Sequence, residues 1–148
     1  VLGAPAQDAL FYAQFLAKHK QAKIVFGATY KILSIAESAL VTSGTATLET
    51  ALFKVHQVVC YKGSAISYPI AKRLIKVDYI SLVNLILNKE SVKELIQKEC
   101  NPEKIKQELE MVLPNGKKRE LILRDYHDLH NLLGKGGASK KLANLILK

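Results

Sequence analysis

The sequence predicts an α/β fold, a parallel sheet with helices on both faces, followed by an all-helical tail. Three observations carry this. Short β-branched or apolar runs (KIVFG, ALVT, HQVVCY, YISL) alternate with segments of helical spacing, the signature of βαβ units. These runs are continuously apolar rather than alternating, as strands buried on both faces are. After Asn88 the alternation stops and only helical patterns follow. The expected division is an α/β core over residues 1–88 and a helical tail over 89–148.

Each element follows from local pattern. Val1 to Gly3 reads as a short strand leaving through Gly3-Ala4-Pro5. Residues 6–19 have helical spacing through Ala9, Leu10, Ala13, Leu16 and Ala17. Lys23 to Gly27 is a second strand, after which Thr29 is placed to cap a helix through Ile32, Leu33 and Ala36. Ala39 to Thr42 is a third strand, feeding a helix from Thr45 to Phe53. His56 to Tyr61 is a fourth, leaving through Lys62-Gly63. Ser64 to Lys76 looks helical, with Pro69 tolerable near a first turn or as a kink. Tyr79 to Leu82 is a fifth strand leading to Asn84.

In the tail, Ser91-Val92-Lys93-Glu94 reads as a capping box opening a short helix. Asn101-Pro102 is an N-cap with proline at the first helical position, starting a helix through Ile105, Leu109 and Val112. Pro114-Asn115-Gly116 is a turn, and a helix then runs from about Lys117 to Leu133. Gly134 to Gly137 breaks it before a last apolar helix over residues 138–147.

Composition narrows the function. The 148 residues suit one domain with one core, and the absence of Trp leaves aliphatic side chains to fill it. No apolar run approaches the roughly 20 residues that span a bilayer, and Val1 to Pro5 starts no signal peptide. Without an initiating Met, the chain is expected to be a piece of something longer. The net charge of +9 favours anionic partners. It is dispersed, however, with no arginine-rich block and no interleaving of aromatic and basic residues of the kind single-strand binders use. No nucleic-acid partner is expected, and a basic nucleic-acid-binding module stands as an alternative only. Cys60 and Cys100 lie outside any CxxC spacing, which fits free thiols in a reducing cytoplasm.

The stretch ALVTSGTATLE carries the chemistry. In a parallel sheet, ligands bind at the carboxyl edge, and a tight turn into a helix N-terminus offers unpaired N–H donors and a positive dipole end to phosphate. Gly44 removes a blocking side chain, while Ser43, Thr45 and Thr47 add hydroxyls. Glu49 lies four residues beyond Thr45, about 6 Å along the same helix face, within reach of a ribose diol. A plain capped turn with a solvated Glu49 explains the same letters. Phe26-Gly27, Ser43-Gly44 and Tyr61-Lys62 are expected to end strands at one edge, with Lys62 offering a point charge. Asn84 is expected at another strand end, and surface placement is the plain alternative for both Lys62 and Asn84.

The segments VTSGTATLE, VVCYKG, AKRLIKVDYISLVNLI and VKELIQ, in this order and spacing, resemble the C-terminal part of the lipid-A-disaccharide synthase family. Those are bacterial inverting glycosyltransferases of the GT-B fold, and the resemblance covers nearly the whole chain. It implies a Rossmann-like half of that fold, binding the UDP of a UDP-2,3-diacylglucosamine donor. By resemblance, Ser43, Gly44, Thr45 and Glu49 hold UDP, while Tyr61, Lys62 and Asn84 match further motif positions near it. Gln97 falls in a Lys-Glu-Leu-x-Gln stretch of the family, and Val83 replaces a proline common before the Asn. The implied reaction joins diacylglucosamine to 2,3-diacylglucosamine 1-phosphate, forming the β(1→6) lipid A disaccharide, with no metal or other cofactor. It also implies a cytoplasmic enzyme peripheral to the inner membrane. The family's N-terminal domain, acceptor site, catalytic base and Gly-Ser-Arg segment have no counterpart in this sequence. The chain is therefore expected to contain no catalytic residue, to bind UDP weakly at best and to have no transferase activity. Family members exchange C-terminal segments between protomers, and Gly134 to Gly137 would permit a homodimer of that kind. Another UDP-sugar enzyme of similar fold, an epimerase or a different glycosyltransferase, is the alternative.

Other motifs resolve to plainer readings. In DYHDLH, His127 and His130 neighbour each other on a helix, but a metal site draws a third ligand from elsewhere and a polar face explains the run. GKGGASK lacks the spacing and preceding strand of a phosphate loop. Ser64 to Lys76 pairs Ile66, Ile70, Leu74 and Ile75 with Lys72, Arg73 and Lys76, which suits either core packing with a basic rim or an anionic membrane surface.

Overall fold

The structure is a computed structural model that describes residues 1–4, 6–63, 78–134 and 136–146. The chain divides into two compact units, Val1–Glu37 and Ser38–Lys148.

In the first unit, α1 (Ala9–Leu16) is capped by Asp8, whose carboxylate accepts from the Phe11 amide at 2.8 Å. The expected strands at Val1 to Gly3 and Lys23 to Gly27 do find each other in parallel, but only as a single bridge between Leu2 and Val25. A Cβ at Gly3 would overlap the partly exposed Phe26 ring, so a side chain there would need the ring to move. The second helix, α2 (Thr29–Leu33), starts at Thr29 rather than being capped by it and stops short of Ala36.

The second unit holds the sheet. Strands β1 (Ser38–Thr42), β2 (His56–Tyr61) and β3 (Lys93–Ile96) are parallel in the order β1-β2-β3. Val58 and Val59 point to opposite faces of β2 and both are fully buried. The central strand is thus covered on both sides, as its continuous apolar run predicts. Helix α3 (Thr45–Leu52) follows β1 directly and packs with α4 (Leu82–Leu87) and α6 (Arg119–Leu133), while α5 (Pro102–Val112) packs across all three strands. Val58, Val59, Val83, Val92, Leu95, Ile122, Tyr126 and Leu129 belong to one core cluster. A last helix, α7 (Ala138–Ile146), exposes Leu142, Leu145 and Ile146.

The α/β class with a parallel sheet stands as expected; in the second unit two further elements differ. Tyr79 to Leu82 forms no strand. Ser81 instead caps α4, its hydroxyl accepting from the Asn84 amide at 3.3 Å, and Asn88 ends the helix in the left-handed region at φ 50°. The third strand is Lys93–Ile96, inside the segment 89–148 expected to be all helical. Its Glu94 does cap a helix, but α4 rather than one of its own. Asn101 and Pro102 start α5 as expected, with the Asn101 side chain accepting from Lys104. The expected helix at Ser64 to Lys76 lies outside the described residues. Among the described residues, no helix is long and apolar enough to cross a membrane.

Candidate functional site

The candidate site is the carboxyl edge of the sheet. Register places Thr42 beside Cys60 and Tyr61 beside Ile96, so all three strands end at one level. Phe26-Gly27, expected at the same edge, belongs to the first unit and to no strand of this sheet.

From β1 the chain enters Ser43 and Gly44. Gly44 has φ 122° and ψ −162°, a region essentially closed to side-chain-bearing residues. A Cβ there would meet nothing within 4 Å, so conformation rather than space demands glycine. Gly44 occupies the N-cap of α3 with no side chain to cap it, and the first turn carries no acidic residue. The helix itself therefore offers no side chain to offset its positive end. Both the Thr47 amide and its hydroxyl donate to the Gly44 carbonyl, at 3.1 and 2.8 Å, closing the turn. Gly44 and Thr45 are exposed, and Ser43 and Glu49 half-buried. Among the described residues, the Glu49 carboxylate makes no hydrogen bond and no ion pair.

From β2 the chain leaves through half-buried Tyr61 and exposed Lys62. The Gly63 amide donates to Gln97 Oε1 at 3.1 Å, so the residue just after β3 fixes the loop that carries Lys62. A Cβ at Gly63 would lie 2.8 Å from the Tyr61 hydroxyl, so the phenol rests over this glycine.

Two of the residues expected to contact UDP are buried in the fold. Thr47 is fully buried, and its hydroxyl also accepts from the Leu82 amide at 3.2 Å, joining the turn to the start of α4. Asn84 ends no strand; it lies within α4, fully buried. Its Nδ2 donates to the Val92 carbonyl and to Glu94 Oε1, while its Oδ1 accepts from the Ser91 and Val92 amides, all at 2.8–2.9 Å. That exhausts the hydrogen-bonding capacity of the amide. Val83, the residue before Asn84, is fully buried in the core.

Sequence reasoning missed three polar residues beneath the site: Glu94, Gln57 and Tyr126. The Glu94 carboxylate receives the Ile80 and Ser81 amides, the Ser81 hydroxyl and Asn84 Nδ2. Gln57 donates to the Thr47 carbonyl at 2.9 Å and to the Tyr126 hydroxyl at 3.0 Å. A glutamine inside the apolar run HQVVCY was the available signal. Burial holds the Tyr126 phenol protonated well above the ordinary tyrosine range, against the opposing hydrogen bond from Gln57. Burial first, then the neighbouring Cys100, pushes the Cys60 thiol up to about 11.

The DYHDLH run divides. Asp125 is buried and pairs with Lys89 at 2.7 Å, whereas His127, Asp128 and His130 are exposed on α6. Among the described residues, no group of three or more His, Cys, Asp or Glu side chains is placed to hold a metal.

A parallel sheet with helices packed on it, in which β1 runs through a glycine turn into α3, is a Rossmann-like α/β half-fold. Comparison with known proteins is more specific. The family described as lipid-A-disaccharide synthetase matches residues 6–146. The lipid-A-disaccharide synthase of Syntrophus aciditrophicus (strain SB) is 42% identical over 125 residues, covering 84% of this chain and 33% of that protein. Its counterpart in Anaeromyxobacter dehalogenans (strain 2CP-C) is 34% identical over 146 residues, covering 97% and 38%. That of Salmonella paratyphi B is 37% identical over 122 residues, covering 82% and 32%. The chain belongs to the lipid-A-disaccharide synthetase family. It spans about a third of the length of the curated relatives it matches.

Proposed function

We propose that this chain is the donor-binding part of an inverting glycosyltransferase that moves 2,3-diacylglucosamine from UDP onto 2,3-diacylglucosamine 1-phosphate. The observation that carries the reading is the glycine turn at the uncapped N-terminus of α3, beside the strand end bearing Lys62. In this reading Ser43, Gly44 and Thr45 receive the diphosphate, Lys62 balances its charge, and Tyr61 lines the edge. Glu49, half-buried one turn along the face of Thr45, accepts from the ribose hydroxyls. Thr47 and Asn84 shape the site from beneath rather than touching ligand. The dipole and Lys62 supply positive charge to the diphosphate without calling on a metal. The acceptor lipid, the catalytic base and the contact with the inner membrane belong, in this reading, to the remainder of the relatives' length. The chain alone then binds UDP without turnover.

Titrating UDP, UMP and uridine by calorimetry tests this. UDP should bind at least about tenfold more tightly than uridine, a difference of about 1.4 kcal/mol, and Glu49→Ala should weaken all three. Equal affinity for UDP and uridine would overturn the assignment, as would steeply salt-dependent DNA binding with no response to UDP.

A further inference from the structure

A buried polar chain runs beneath the Gly44 turn, connecting it to a helix remote in sequence. The Tyr126 hydroxyl, on α6, donates to the Val55 carbonyl at 3.2 Å and accepts from Gln57 Nε2. Gln57, on β2 and fully buried, gives its second Nε2 proton to the Thr47 carbonyl. Thr47 in turn closes on the Gly44 carbonyl through its own hydroxyl and amide. Four residues from three elements and a turn are thus tied in series, ending on the Gly44 backbone at the start of α3.

This arrangement is not what packing alone selects. Gln57 Oε1 is buried with no hydrogen-bond partner, and an orphaned buried acceptor is destabilising. A methionine of similar volume would fill the space on β2 without that penalty. What methionine lacks is the pair of Nε2 donors, and one of these holds the first turn of α3 against β2. Polar groups that weaken a core while ordering a binding edge are a mark of function.

We infer that Gln57 and Tyr126 are positioning residues for the diphosphate turn, acting through Thr47 to hold the first amides of α3 on target. The inference rests on the donor-binding reading above and deepens it. It predicts a loss specific to the phosphates, since the tie reaches the turn and not Glu49.

The test uses Gln57→Met and Tyr126→Phe in the 148-residue chain, with three readouts. For Gln57→Met, UDP affinity should fall about tenfold, the order of one lost hydrogen bond, with uridine affinity unchanged. The Thr47 amide, bonded to the Gly44 carbonyl, and the Leu82 amide, bonded to Thr47 Oγ1, should exchange with solvent about tenfold faster. The urea midpoint should not fall, because the orphaned acceptor goes too. Tyr126→Phe, which removes one hydroxyl, should shift affinity and exchange the same way by about threefold, and it decides the matter if Gln57→Met does not fold. Native exchange at Thr47 and Leu82, or UDP and uridine weakening together, would overturn the inference. If the unsubstituted chain fails to bind UDP, the donor-binding reading falls, and the exchange rates alone decide whether the tie holds the turn.

Discussion

Replacing Glu94 with alanine should be among the most damaging single changes this fold can suffer. The Glu94 side chain sits almost wholly out of solvent, without a cation partner among the described residues, and accepts four hydrogen bonds. Two come from the Ile80 and Ser81 amides at 2.9 Å, one from the Ser81 hydroxyl at 2.7 Å and one from Asn84 Nδ2 at 2.9 Å. In Glu94→Ala the Ser81 hydroxyl can rotate to a new partner and the half-buried Ile80 amide can reach water. The Ser81 amide and Asn84 Nδ2, both buried, cannot. Each orphaned donor costs about 1–3 kcal/mol. Loss of negative charge at the α4 N-terminus adds about 0.3–1 kcal/mol. The sum is about 4 kcal/mol, a large share of the roughly 5–15 kcal/mol of a typical domain. Urea unfolding with linear extrapolation measures it. Glu94→Gln, which retains one acceptor oxygen, should lose about half as much. A loss below about 1.5 kcal/mol for Glu94→Ala would refute the reasoning, because it would mean that water or backbone shifts satisfy donors the structure encloses.

Two further predictions concern the edge and the thiols. Gly44→Ala meets no steric obstacle but imposes a forbidden backbone region, so stability should fall by about 1–3 kcal/mol and UDP affinity by tenfold or more; an unchanged urea midpoint with unchanged binding would show that the turn tolerates a side chain. Cys60, with its thiol raised from 9.0 to about 11, should alkylate slowly at pH 8 and reach half-maximal rate only near the higher value. The native state holds this proton more tightly than the unfolded chain, so the Cys60 contribution is intact below pH 9 and is lost as pH rises towards 11. The Tyr126 phenol acts in the same direction at still higher pH. An iodoacetamide rate profile with its midpoint at or below 9 would contradict this.

Much of the edge was legible and the sheet around it less so. ALVTSGTATLE reads correctly as strand, glycine turn and helix because each step has a local cause: an apolar run, a residue able to take φ 122°, and a following helical spacing. HQVVCY reads as a doubly covered strand for an equally local reason. YISL and KELI failed because their states are decided at a distance. YISL has strand propensity, yet Glu94 and the Ser81 cap draw its end into a helix. KELI has helical letters, yet it pairs with β2 across Val58 to Tyr61. Tertiary pairing overrides propensity in such short segments. Cys60 and Cys100, forty positions apart in sequence, likewise become electrostatic neighbours only through the sheet.

The polar residues of the edge divide into exposed and buried, and Thr47 and Asn84 fall on the buried side. Motif letters mark residues that a site needs, without distinguishing those that touch ligand from those that hold the residues that do. In this chain the two groups separate by burial. Thr45 and Lys62 are exposed and Glu49 is half-buried without a partner, so their side chains are at liberty to meet a ligand. Thr47, Gln57, Ser81, Asn84, Glu94 and Tyr126 are buried and hydrogen-bonded to one another or to backbone. A turn that binds through backbone amides has little side-chain chemistry of its own, so its geometry must be imposed from below. The buried group joins α3, β2, α4, β3 and α6 to that one turn through hydrogen bonds rather than shape alone. That is how the three described strands, with a modest aliphatic core, tie the Gly44 turn in place, and why so many polar side chains lie where apolar ones would have packed more cheaply.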